Sequence, residues 1–108
     1  YIRPADSKPY LVIGEVKYGK PILDRVITPS VSIGDAARCA LISMDSTLKS
    51  DLTVGPPIDI AVFKKGERKL SYIKCLNTND EDYKKICDKW SDKVLQVFDS
   101  FPRFDWEK

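Results

Sequence analysis

The stretch SIGDAARCALISMDSTLKSDLTVGPPIDIAVF, Ser32 to Phe63, decides the reading of this chain. Ile33, Ala36, Ala37, Ala40, Leu41, Met44 and Leu48 recur at three- and four-residue intervals, the spacing of a helix with one apolar stripe. Ser32 and Asp35 form the S-x-x-D pattern of a helix start, where a hydroxyl and a carboxylate satisfy first-turn amides. Helix propensity falls at Ser50-Asp51, and Gly55-Pro56-Pro57 forbid continuation. Ile58, Ile60 and Val62 then alternate with Asp59, Ala61 and Phe63, a strand pattern. The unit is therefore helix, tight loop, strand.

Reading outward, Pro9 to Ile13 is a short apolar run that Gly14 stops, expected as a buried strand, with Glu15 to Tyr18 as the following loop. Gly19 to Ile27 is expected as a short helix: Pro21 suits its first turn and Thr28-Pro29 ends it. Beyond the central unit, Lys64 to Arg68 reads as a polar hairpin connection and Leu70 to Leu76 as a second strand paired with Ile58 to Phe63. Asn77 to Asp80 caps a long helix from Glu81 to about Ser100. Its stripe is Tyr83, Ile86, Cys87, Trp90, Val94, Val97, Phe98 and Phe101. Core packing is the preferred role for that stripe and a partner surface the alternative; Phe104 and Trp106 are expected to dock onto the body. The order is strand, helix, helix, strand, strand, helix, an α+β chain. Helices on one face of so small a sheet leave the other face bare, which hints at material beyond these residues.

At 108 residues the chain fits one domain. Its net charge of +2 comes from 18 basic and 16 acidic residues, well mixed, without the positive stripe of a nucleic-acid binder. No apolar run approaches the length that spans a bilayer, and no secretory signal opens the chain. Cys39, Cys75 and Cys87 are scattered and read as reduced thiols, which points to a reducing compartment such as a cytoplasm. The chain has no histidine, so a Ser-His-Asp relay is excluded and a zinc site disfavoured; no cofactor is expected. It opens on Tyr1 without a methionine and is read as a fragment of a longer protein.

Few residues could carry chemistry. Asp51 lies where a helix dipole disfavours a carboxylate, which marks either a specific hydrogen-bond task or a solvated acid. Thr53 and Gly55 sit in the loop that re-aims the chain, Gly55 as a possible site of positive φ. Glu15 and Lys17 follow the first strand, where loops often hold function or are simply surface. These residues form no self-sufficient catalytic set.

Three segments in order resemble the proteasome β-subunit superfamily, and more specifically the bacterial ancestral β subunits. They are Ile13-Gly14-Glu15…Tyr18-Gly19-Lys20-Pro21-Ile22-Leu23-Asp24-Arg25, Asp35-Ala36-Ala37…Met44-Asp45-Ser46-Thr47, and Asp51-Leu52-Thr53-Val54-Gly55-Pro56-Pro57-Ile58-Asp59. The resemblance implies the C-terminal part of an αββα sandwich of two antiparallel sheets, with residues 1–108 a single domain or a fragment of a proteasome-type peptidase domain. It implies an N-terminal-nucleophile hydrolase, whose threonine hydroxyl is activated by its own α-amine. The nucleophile and the N-terminal half lie outside this chain. Asp51 matches the family aspartate that hydrogen-bonds around that amine, so it is implied as a supporting catalytic residue. Thr53, Val54 and Gly55 form the loop at the site, with Val54 where the family carries a serine. Glu15 stands where another family serine lies. The implied partners are a peptide or unfolded-protein substrate, the missing half and further copies in a ring or stack, with no nucleic acid, membrane, metal or cofactor. The alternative is a non-catalytic binding or assembly module whose aromatic stripe and tail form subunit contacts.

Overall fold

The computed structural model describes residues 3–14, 17–51, 53–77 and 79–107. Its elements are α1 (Lys20–Val26), α2 (Ile33–Ser50), β1 (Ile58–Val62), β2 (Tyr72–Leu76), α3 (Glu81–Asp99) and a closing 3-10 turn, Asp105–Glu107. The last five of the six expected elements are present in the expected order. Pro9 to Ile13 differs: it runs without a ladder, and Ile13 is 99% exposed. Backbone groups become a strand only against a partner strand, and among the described residues none lies beside it.

The termini of α2 and α3 follow from their caps. Ser32 Oγ accepts the Asp35 amide at 3.1 Å, while the Asp35 carboxylate turns to Arg38, 3.1 Å away, instead of back to Ser32. The capping box is therefore half made. Asp80 caps α3 by accepting the Tyr83 amide at 3.0 Å. The same carboxylate holds Lys74 of β2 at 2.5 Å, so one side chain fastens the hairpin to α3. Lys74 and the Tyr83 amide both favour its charged form and hold its pKa below the usual carboxylate value.

β1 and β2 pair antiparallel with Ile58 opposite Leu76, Ile60 opposite Lys74 and Val62 opposite Tyr72. Period-two alternation sends Ile58 and Leu76 inward. There they meet Leu41 of α2 and Tyr83 and Cys87 of α3, with Leu48, Ile60 and Ile86 around them. The opposite face of the hairpin is bare, and Ile73 on it is 68% exposed.

This core is small for the chain. The accessible surface is 8878 Å², against about 6,100 Å² for a compact monomer of the same mass. The radius of gyration is 16.3 Å, where about 13 Å is usual for 100 residues. The difference lies in identifiable places. The α3 stripe is buried only at Tyr83 and Cys87; from Trp90 onward every stripe residue is exposed, and Phe98 is 67% exposed. The expected docking of the tail is also corrected. Phe104 and Trp106 stack on each other, ring centres 5.4 Å apart, and Trp106 remains 80% exposed. No helix among the described residues is long and apolar enough to cross a membrane.

Truncating Leu76, 3% exposed between the hairpin and both long helices, tests this core. Leu76→Ala is expected to lower unfolding stability by about 2–4 kcal/mol, read by denaturant titration. Ile73→Ala on the bare face is expected to change it by less than about 0.5 kcal/mol.

Candidate functional site

The loop after α2 is built by one carboxylate. Asp51 ends the helix: its amide donates to Thr47 O at 2.8 Å. Its Oδ1 accepts the Thr53 amide at 2.9 Å and the Thr53 hydroxyl at 2.6 Å. This is an Asx turn, in which an aspartate side chain imitates the backbone and folds the chain back. The Val54 amide donates to Asp51 O at 3.2 Å and tightens the same turn. Asp51 is half-buried and Val54 likewise, while Thr53 and Gly55 are exposed.

The solvated-acid reading of Asp51 therefore gives way to a specific task. The Thr53 hydroxyl, the Thr53 amide and, at longer range, Lys17 all favour the carboxylate, and hold its pKa below the usual value against a small opposing effect of burial. Asp51 is ionised at neutral pH. Both of its hydrogen bonds fall on Oδ1; among the described residues Oδ2 accepts none, and a carboxylate oxygen there suits a cationic donor.

Gly55 is not in the left-handed region; among the described residues only Gly14 and Gly66 have positive φ. Nor would a Cβ on Gly55 meet any atom within 4 Å. The conformational reason expected for this glycine is thus corrected, and its surroundings are open. The next peptide bond but one, Pro56–Pro57, is cis. Glu15 lies outside the described residues.

Sequence reasoning missed the side of α2 that carries α1. The apolar stripe drew attention to Ile33, Ala36, Ala37 and Ala40, yet these are half-buried or exposed. The buried line is Cys39, Ser43 and Thr47, small residues four apart. Ser43 Oγ donates to Gly19 O at 2.8 Å, and Thr47 Oγ1 donates to Ser43 O at 3.0 Å. Cys39 Sγ lies 3.7 Å from Ile22 O. Gly19 is buried against this line so closely that a Cβ there would sit 2.4 Å from Ser43 Oγ. Its φ of −98° is open to any residue, so glycine is required by contact alone. The available signal was a run of small residues at i, i+4 and i+8 beside a Gly-Lys-Pro helix start.

A second polar cluster fastens the entry segment to α1. Tyr10 Oη donates to Asp24 Oδ1, and Lys20 and Lys8 stand 3.0 Å and 3.4 Å from the same carboxylate. These partners, Tyr10 first, bring the Asp24 pKa to about 2. Deeper in, Tyr83 is buried between α2 and α3, and desolvation pushes its pKa up; Cys87 beside it rises to about 11, again mainly through burial. Cys39 is buried and raised for the same reason, so neither buried thiol is an activated nucleophile. Among the described residues no three metal-ligating side chains gather.

Neither a family model nor a curated protein matches the chain. Solved structures do. Anbu from Hyphomicrobium sp. strain MC1 is 40% identical over 96% of this chain and 45% of its own, with a TM-score of 0.90. Anbu (ancestral beta-subunit) from Yersinia bercovieri is 35% identical over 96% of this chain and 44% of its own, at 0.92. A helical assembly of the Anbu complex from Pseudomonas aeruginosa is 36% identical over 95% and 43%, at 0.89. The chain spans less than half the length of these relatives.

Two measurements check the site. Gly19→Ala is expected to cost about 1–3 kcal/mol in denaturant unfolding, because the seat on Ser43 has no room for a methyl group. Gly55→Ala, in open space, is expected to stay within about 0.5 kcal/mol. The second concerns pH. A carboxyl whose folded pKa is depressed stabilises the fold above its unfolded value, about 3.9 for aspartate, and loses that contribution as pH falls through the folded value. Thr53→Val removes the strongest support of the Asp51 carboxylate. The Asp51 titration, followed by NMR, is expected to move up toward the ordinary value, so that the variant is less stable at neutral pH and loses less stability on acidification.

Proposed function

On the premise that the chain matches a C-terminal portion of the proteasome-β-like ancestral β subunits, we propose that it supplies one wall of a threonine-type, N-terminal-nucleophile peptidase. The observation that carries this reading is Asp51. An ionised carboxylate stands at a helix end where the dipole opposes it, held by Thr53, with Oδ2 turned to no described donor. A carboxylate so placed orients and stabilises the protonated α-amine of a nucleophilic residue, which acts as the base for its own hydroxyl. That route to peptide hydrolysis needs no histidine, and the chain contains none. Thr53 fixes the Asp51 rotamer; Val54 and Gly55 form the open loop along which an extended substrate runs; Glu15, where the family carries a serine, is assigned to the site by that resemblance alone.

The nucleophile belongs to the part of the relatives' length that this chain does not span. That part also accounts for the surface in excess: it covers the bare face of the hairpin and the Ile33–Ala40 side of α2. The complete protein works in a homo-oligomer, as the helical assembly of a relative supports, and the apolar end of α3 is one contact between copies. The site then faces a space closed by other copies, in a cytoplasmic protein acting on unfolded chains.

In the full-length protein, Asp51→Asn is expected to reduce kcat for amide substrates about a hundredfold, with a smaller effect on KM. The 108 residues alone are expected to show no amidase or esterase turnover. Turnover by the isolated chain, or an Asp51→Asn variant with unchanged kcat, overturns the reading.

A further inference from the structure

Two loops bear on the candidate site: the Asp51–Gly55 loop after α2, which forms it, and the Lys17–Gly19 turn ahead of α1, whose Lys17 acts on Asp51. Residue by residue, hydrogen bonds join them in series, two from side-chain hydroxyls and one the helix bond into Asp51. Ser43 Oγ binds Gly19 O at 2.8 Å, Thr47 Oγ1 binds Ser43 O at 3.0 Å, and Asp51 N binds Thr47 O at 2.8 Å. Asp51 Oδ1 then takes both donors of Thr53. Every intermediate group is buried: Ser43 and Thr47 are each 7% exposed, and Gly19 is buried with them.

From this line we infer that Ser43 and Thr47 are positioning residues: they lock the turn before α1 to the turn after α2, so that both loops present one rigid wall to the reaction. The inference rests on the peptidase reading for what the wall serves, while the coupling itself is a property of the fold.

Two features make the coupling directional. A buried hydroxyl without a partner costs more than one exposed to water, so Ser43 cannot let go of Gly19 O without the turn moving. A Cβ at Gly19 would lie 2.4 Å from Ser43 Oγ and 3.1 Å from Thr47 Oγ1, so both hydroxyls bear on the same small seat. Displacing the turn also displaces Lys17, whose charge acts on Asp51. The two loops, more than 30 residues apart in sequence, thereby share one mechanical joint.

The test is hydrogen–deuterium exchange of the full-length protein, comparing the unmodified chain with Ser43→Ala, Thr47→Val and Thr47→Ser. Ser43→Ala and Thr47→Val are expected to speed exchange about tenfold at residues 17–20 and at residues 53–55 together, the order of one buried hydrogen bond. Thr47→Ser keeps the donor and is expected to behave as the unmodified protein. α3 and the hairpin serve as the internal reference and should not change. Faster exchange confined to 17–20 overturns the coupling, as does no change at either loop. A rise everywhere, α3 included, overturns it too, since plain destabilisation then explains the variants. Peptide turnover measured on the same samples separates the two ideas. An inactive unmodified protein sinks the peptidase reading and leaves the exchange pattern to decide the joint.

Discussion

One contact fixes much of this structure: the Ser43 hydroxyl on the Gly19 carbonyl, in a seat too tight for a side chain. It is polar, buried and short-range, and so tolerates no sliding. Apolar surfaces can shift past one another with little change in energy; a donor that must find a single acceptor cannot. Because α2 presents Cys39, Ser43 and Thr47 in line, α1 settles at one height along the helix. Its start and the end of α2 are then fixed relative to each other. The Asp51 turn inherits its place from that arrangement, being bonded to Thr47 on one side and closed by Thr53 on the other.

The remainder is held more loosely and on one side only. Leu41, Ile58, Leu76, Tyr83 and Cys87 make a core where four elements meet, and it stops abruptly. Past it lie the outer hairpin face and the far half of α3, both apolar and both in water. A surface of 8878 Å² is far beyond what a compact chain of this mass presents. That excess agrees with a chain that spans under half of its structural relatives. Hydrophobic stripes of full helical length have been kept, although only part of each finds a neighbour among these residues.

How much of this was legible in the sequence follows from which interactions are local. The helix limits, the hairpin and the two N-caps depend on residues within four or five positions, and Ser32, Asp80 and the Gly-Pro-Pro stop announced them. Burial is not local. Ala36, Ala37 and Ala40 looked like a core face because periodicity cannot say what stands opposite; Trp90 to Phe101 looked like core for the same reason. Pro9 to Ile13 has strand composition, and composition supplies no partner. At the site, the position of Asp51 after a helix was visible, but its Asx turn with Thr53 required the coordinates. Gly19 was read as a helix start when its identity is set by Ser43, 24 residues away.

That seat has an evolutionary corollary. Two positions sharing a space too small for both a methyl group and a hydroxyl are not free to drift separately. A methyl-bearing residue at 19 is admissible only once the side chain at 43 has shrunk, and the vacated hydroxyl then abandons the carbonyl it served. Lineages that depart from glycine here must either relinquish the register of α1 on α2 or rebuild it with a different pair, and the pairing of residues at 19 and 43 becomes a hereditary mark of which solution was kept.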